Sequence, residues 1–313
     1  MTLVDFEDNP IPPDVSAGHF DTPAESRLRY AVWRPESSLQ KGTVCILQGR
    51  AEFLEKYFET ARDLVVRGFA VAMFDWRGQG GSLRQRKARH KGHVDDFAEY
   101  VADLDAFMTQ VVLPNCPPPF YGLAHSTGAT VLLLASPSLR NRFRRNVCLA
   151  PLLGFGDTGW PQEVVAPLSR VLAAVGLKRS LIPGASRHRL YDRPFEENRL
   201  TSDPRRYRRN IGIAKAHPEL TVDAPTIGWV RAAVDAMGEL DDVDYVEKIR
   251  IPTLLVAAGA DRIVSNVAIE RLARTLKASH LVVIPGARHE LLQESDVYRE
   301  QALAAFDAFV PGS

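Results

Sequence analysis

Short apolar runs rich in β-forming residues alternate along this chain with segments of helical period, and that rhythm leaves few folds open. Thr43–Leu47 (T-V-C-I-L) reads as a buried strand ending before Gly49, and residues 53–67 carry a helical pattern closed by Gly68. A second strand is expected over 69–75, followed by the turn R-G-Q-G-G-S and an amphipathic helix over 95–112. Phe97, Val101, Leu104, Phe107 and Met108 share one stripe of that helix. A strand over 120–123, a helix over 126–135 and a strand over 146–150 repeat the pattern. Thr253–Ala258, a helix over 267–277, a strand over 281–284 and a last helix over 297–309 complete it. Strands joined through helices form βαβ units, and apolar strands need cover on both faces. The expected fold class is therefore α/β, a doubly wound and mostly parallel sheet.

The rhythm breaks between 152 and 240, where helical patterns, arginines and prolines occur without a convincing buried strand. We expect a core formed by 1–151 and 241–313, with 152–240 inserted as a helical cap. Within the insertion, Leu168, Val171, Leu172 and Val175 form an apolar stripe at helical spacing. It serves either core packing or an acyl-chain wall and lipid-facing surface. Residues 181–210 carry Arg187, Arg189, Arg193, Arg199, Arg205, Arg206, Arg208 and Arg209 against Asp192, Glu196, Glu197 and Asp203. These arginines form either a solvated charged face or a contact, through Arg205 and Arg209, for a phosphate or an anionic membrane.

With 45% hydrophobic and 25% charged residues among 313, the chain is neither disordered, collagen-like nor a disulfide miniprotein. A net charge of +1 gives no basic excess for nucleic acid. No apolar run reaches the length of a membrane-spanning helix, and the acidic start lacks the features of a secretory signal. A cytoplasmic location follows as the expectation. Cys45, Cys116 and Cys148 show no C-x-x-C spacing, so reduced thiols and no zinc site are expected.

The chemistry centres on A-H-S-T-G (124–128), set between an apolar strand and an apolar helix. A strand–turn–helix elbow that exposes a serine needs small residues two before and two after it, and Ala124 and Gly128 meet this need. Serine also needs a base. His289 follows the last strand in G-A-R-H-E, and Asp261 follows the strand before it in G-A-D-R. The order Ser126, Asp261, His289 is that of serine hydrolases built on such a sheet. The cluster of Asp241, Asp242 and Asp244 precedes its strand and ranks below Asp261 as the acid; His125 adjoins the serine but is expected to point away from it. Two backbone N–H groups would hold an oxyanion, those of Thr127 and of Arg50 after the turn at Gly49.

Five segments together resemble the lysophospholipase and monoacylglycerol-lipase family of α/β-hydrolases: Q-G-R-A-E-F-L-E-K-Y (48–57), F-D-W-R-G-Q-G-G-S (74–82), A-H-S-T-G (124–128), L-T-S-D-P-R-R-Y (200–207) and G-A-R-H-E-L-L-Q-E (286–294). The first two are more similar to bacterial lysophospholipases than to eukaryotic lipases, where histidine-glycine tends to open the first motif; here Gln48 takes the histidine's place. The resemblance implies hydrolysis of a single-chain glycerol lipid without metal or cofactor, with Ser126, Asp261 and His289 as the triad. It also implies a small-molecule lipid or ester substrate; the cap's apolar and basic stripes leave peripheral membrane contact open, the charge balance speaks against nucleic acid, and no protein partner is indicated. A general carboxylesterase or thioesterase, a proline-type serine aminopeptidase and a non-catalytic binding module share the fold and stay open at this point.

Overall fold

The computed structural model describes residues 3–22, 27–35, 40–83, 90–139, 142–157, 162–182 and 194–311. Eight strands form one sheet: β1 (Val15–Asp21), β2 (Arg27–Trp33), β3 (Thr43–Leu47), β4 (Ala70–Phe74), β5 (Phe120–His125), β6 (Phe143–Leu149), β7 (Thr253–Ala258) and β8 (Ser279–Ile284). Their order is β1-β2-β4-β3-β5-β6-β7-β8, with β1 and β2 antiparallel and every pairing from β4 onward parallel. The helices used below are α1 (Phe58–Val66), α2 (Ala98–Phe107), α3 (Thr127–Ala135), α4 (Gln162–Leu172), α5 (Pro204–Ala216), α6 (Ile227–Asp241), α7 (Asn266–Thr275) and α8 (Asp296–Phe309).

Strand periodicity splits the interior into two layers. Val44 and Ile46 of β3 face a core shared with Phe58 and Leu64 of α1 and Leu303 and Phe306 of α8. Cys45 and Leu47 face the opposite core, built with Leu104 and Phe107 of α2, Leu132 of α3 and Ile269 of α7. The doubly wound α/β sheet expected from the sequence is thus present.

Two features depart from the sequence reading. The sheet begins before Thr43, because β1 and β2 extend its antiparallel edge. In β2 the apolar period is hidden by Arg29, which is buried yet held by Glu55 and Asp75 at 2.7 and 2.6 Å. The expected cap boundary at 240 also assigns a core helix to the insertion. Trp229, Ala233, Met237 and Leu240 of α6 bury in the same layer as α2 and α3. We therefore propose that the insertion ends near Thr226, whose hydroxyl caps α6 by accepting from Trp229 N–H. No helix among the described residues is long and apolar enough to cross a membrane.

Candidate active site

The end of β5 runs directly into α3, and Ser126 makes the turn with φ 51° and ψ −117°. That is a costly backbone conformation for a serine, kept by its surroundings. Ser126 N–H donates to Leu149 C=O at 3.0 Å, and Ser126 C=O accepts from Ala129 and Leu152. Gly128 is required by close approach: a Cβ there would lie 2.3 Å from the Leu47 carbonyl oxygen and 2.5 Å from that of Gln48. The elbow therefore presses against the end of β3.

Ser126, His289 and Asp261 come together from three strand ends. The Ser126 hydroxyl lies 3.1 Å from His289 Nε2, and His289 Nδ1 lies 2.7 Å from Asp261 Oδ2. Asp261 Oδ1 accepts from the N–H groups of Ile263 and Val264 at 2.7 and 3.1 Å. Burial alone would raise the Asp261 carboxyl, but the facing His289 and these two N–H donors outweigh it and hold it below the usual carboxylate range. Asp241 instead pairs with Arg271, and Asp242 caps the N–H of Asp244.

The loop after β3 is braced from all sides. Gly49 N–H donates to Glu52 Oε2, and Ala51 N–H donates to Gln79 Oε1 at 2.6 Å. Gln48 uses its amide N–H groups on Asp75 Oδ1, at 3.0 Å, and on the Glu52 carbonyl. Trp76 Nε1–H donates to the Gln48 carbonyl at 2.8 Å. The segment at 74–82 thus acts as scaffold for the segment at 48–57. The N–H groups of Arg50 and Thr127 have no partner among the described residues.

Beneath the serine lies a polar network that sequence reasoning missed. The His125 ring joins this network rather than the Ser126 hydroxyl: its Nδ1 is 3.3 Å from Glu52 Oε2 and its Nε2 is 3.2 Å from the His289 carbonyl. Glu52 also accepts from Lys56 Nζ and Tyr57 Oη at 2.7 Å each, and Lys56 bridges to Glu290 at 2.6 Å. Burial would lower the His125 imidazolium, but Glu52 outweighs it and the value rises. Burial would raise the Glu52 carboxyl, but Lys56 and His125 hold it well below its ordinary value. The available signal was Glu52 and Lys56 at helical spacing, together with a histidine beside the serine.

A cavity of about 800 Å³ opens over Ser126 and His289. Its apolar wall includes Val164, Val165, Leu168 and Leu172 of α4. The expected stripe is therefore not simple core packing: Val171 and Val175 are 59% and 66% exposed, while Leu168 and Leu172 face the cavity. Arg205 and Arg209 need correction. Neither lines the cavity. Arg205 is exposed, and its charge lies 3.9 Å from Asp203 and 3.8 Å from Asp296. Arg209 is buried and committed to Glu59 at 2.6 Å and Gln293 at 2.9 Å. Arg187, Arg189, Arg193 and Asp192 lie outside the described residues.

The basic segment fastens α5 to α1 and to the segment that follows His289. Asp203 caps α5 by accepting from Arg205 and Arg206 N–H, and Arg206 reaches Glu59 of α1 at 2.6 Å and the Glu294 carbonyl at 2.7 Å. Glu294 in turn accepts from Arg288 N–H at 2.7 Å, beside His289. The motifs at 200–207 and 286–294 thus bind one another and fix the loop that carries the histidine. Burial would raise Glu59, but Arg206 and Arg209 outweigh it and hold its carboxyl at about 2. Glu59→Gln leaves two largely buried guanidinium groups short of charge, and should destabilise by about 2–3 kcal/mol at neutral pH. A carboxyl lowered by folding contributes stability above its ordinary pKa and loses it as pH falls through the folded value. The difference from wild type should therefore be full above 4.5 and close towards about 2, as read by denaturant unfolding across that range. A difference that stays constant with pH would remove Glu59 from this role.

An eight-stranded sheet of this order, a strained serine between β5 and α3, and a histidine and an acid at later strand ends define an α/β-hydrolase. Residues 39–296 match the family described as serine aminopeptidase, S33, and the chain belongs to that hydrolase family. It is 35% identical over 281 residues to lysophospholipase L2 of Escherichia coli strain K12, covering 85% of this chain and 79% of that protein. It is 30% identical over 278 residues to a probable lysophospholipase L2 of Haemophilus influenzae, covering 88% and 86%. In fold it is similar to a soluble variant of monoglyceride lipase from Saccharomyces cerevisiae solved with a substrate analog. The TM-score is 0.76 at 17% identity, covering 97% and 98% of the two chains. The resemblance read from the sequence holds.

Proposed function

We propose that this protein is a serine hydrolase that cleaves the acyl ester of a single-chain glycerol lipid, a lysophospholipid or a monoacylglycerol, through an acyl-enzyme. The observation that carries this reading is the unbroken line Ser126–His289–Asp261 at the base of a largely apolar cavity. His289 Nε2 takes the hydroxyl proton as Ser126 Oγ attacks the ester carbonyl, and Asp261 holds the imidazole in the tautomer that can accept it. The N–H groups of Arg50 and Thr127 receive the developing oxyanion. His289 then passes its proton to the departing glycerol oxygen, and a water releases the fatty acid by the same route. The wall of α4 takes the acyl chain. The exposed Val171 on the same helix and Val175 in the π-helical turn that follows it suit contact with a lipid surface from which substrate enters.

The family's description names an aminopeptidase, which needs a free carboxylate to hold a substrate amine. The carboxylates lining the cavity are already matched to cations: Glu52 and Glu290 to Lys56, and Asp157 to Arg262. That favours the ester reading. The test is a set of initial rates on lysophosphatidylcholine and monoacylglycerol, each as monomers and in vesicles, beside p-nitrophenyl acyl esters and prolyl-naphthylamide. Fatty acid release from the lipids, faster from vesicles, with no arylamine release, is expected. Faster cleavage of the prolyl amide than of any acyl ester would overturn the proposal.

A further inference from the structure

Arg50 offers two distinct groups to the cavity. Its backbone N–H is unspent beside Ser126, and its side chain runs across the face of Trp229 with Cζ 5.2 Å from the ring centroid. Nη2 donates to the Asp223 carbonyl at 2.7 Å. Nε is buried without a hydrogen-bond partner, and no carboxylate among the described residues lies within ion-pair distance of the guanidinium. Of the other cations lining the cavity, Lys56 faces two carboxylates, and the half-buried Arg199 and exposed Arg262 share the single carboxylate of Asp157, at 4.0 and 2.5 Å. Burial pulls the Arg50 guanidinium down to about 10, which still leaves it charged at neutral pH. The Asp223 charge favours the cation at longer range, but a desolvated guanidinium whose direct contacts are one backbone carbonyl and an aromatic face is costly to keep.

Among the described residues the surroundings add no carboxylate, only the Trp229 indole donor and the Tyr100 hydroxyl, which can donate or accept. Trp229 Nε1 and the Tyr100 hydroxyl are buried beside the guanidinium and approach one another short of hydrogen-bond geometry. The chemistry that would complete this corner is an anion with several acceptor oxygens, which a guanidinium can meet at two N–H groups.

We propose that the Arg50 side chain is the subsite for the phosphodiester of a lysophospholipid headgroup. One residue then holds the reacting oxygen through its backbone and the headgroup through its side chain. The covalent reach is comparable, since the guanidinium carbon is as many bonds from the Arg50 backbone nitrogen as the phosphorus of a lysophospholipid is from its ester carbonyl carbon. A neutral monoacylglycerol gains nothing from this contact. The assignment rests on the ester-hydrolase reading above and makes the phospholipid the preferred member of the pair.

The test compares wild type, Arg50→Gln and Arg50→Lys on lysophosphatidylcholine and on monoacylglycerol of equal chain length, below their critical micelle concentrations. Arg50→Gln should lower kcat/KM on the phospholipid about ten- to a hundredfold more than on the neutral lipid, the range expected for a charge-assisted contact. Arg50→Lys should fall between, since an ammonium keeps the charge without the fork. The selectivity should persist at high salt, because the group is buried. In wild type, glycerophosphocholine should compete with a p-nitrophenyl ester, and in Arg50→Gln it should not. Equal losses on both lipids would overturn the subsite and make Arg50 a brace between its loop and Asp223. Inhibition by inorganic phosphate as strong as that by glycerophosphocholine would overturn the headgroup assignment in favour of a free-anion site. Failure of the ester reading is read separately, as wild type cleaving neither lipid. Glycerophosphocholine raising the Tm of Ser126→Ala, but not of Ser126→Ala with Arg50→Gln, would then still support the subsite, and no rise would overturn it.

Discussion

Ser126→Ala is expected to lose about five to six orders of magnitude in kcat while keeping its fold. The side chain supplies one hydrogen bond, to His289, and the turn is held by backbone groups that alanine retains: the N–H on Leu149 and the carbonyl under Ala129 and Leu152. Alanine also inherits the same strained φ of 51°, so neither relief nor new strain arises at the elbow. The stability change should be about 1 kcal/mol or less, the worth of one hydrogen bond near the surface of a cavity. The measurements are thermal unfolding, kcat on a p-nitrophenyl acyl ester, and labelling by a fluorophosphonate, which should mark Ser126 in wild type and nothing in the variant. An alanine protein that keeps a tenth of wild-type turnover would dismiss Ser126 as the nucleophile.

The parts of this site legible in the sequence are those fixed by local pattern. A strand, a serine flanked by Ala124 and Gly128, and an apolar helix are contiguous, so the elbow can be read directly. His289 and Asp261 were reachable because parallel strands present their carboxyl ends at one edge of the sheet. What stayed hidden depends on distant pairing. Arg29 breaks the period of β2 because its partners Glu55 and Asp75 lie elsewhere in the chain, so the strand that joins β1 to the parallel sheet is hidden in the sequence. The arginines near 205 look like a phosphate contact in one dimension, and only Glu59, Gln293 and Asp296 turn them into a fastening. Conversely, Arg50 carries no signal as a single arginine after a glycine. Its significance lies in the partners it lacks.

Asp261→Asn should lower kcat by about four orders of magnitude with the geometry intact. The reason lies in how the two carboxylate oxygens are used. Oδ1 accepts from Ile263 and Val264 N–H, and Oδ2 faces His289 Nδ1 at 2.7 Å. An asparagine keeps its carbonyl oxygen on the two backbone donors, because its amide N–H groups cannot take that place. The amide nitrogen then faces Nδ1 as a donor, so the imidazole must accept there and carry its proton on Nε2. In that tautomer Nε2 cannot receive the Ser126 proton, 3.1 Å away. The loss therefore falls on kcat and on fluorophosphonate labelling rate, with KM little changed and unfolding near that of wild type. Asp241→Asn, Asp242→Asn and Asp244→Asn serve as controls and should stay within a few-fold of wild type. Asp241 spends its charge on Arg271, and Asp242 on the N–H of Asp244. A near-normal Asp261→Asn beside an inactive variant at 241, 242 or 244 would move the acid to the other strand end.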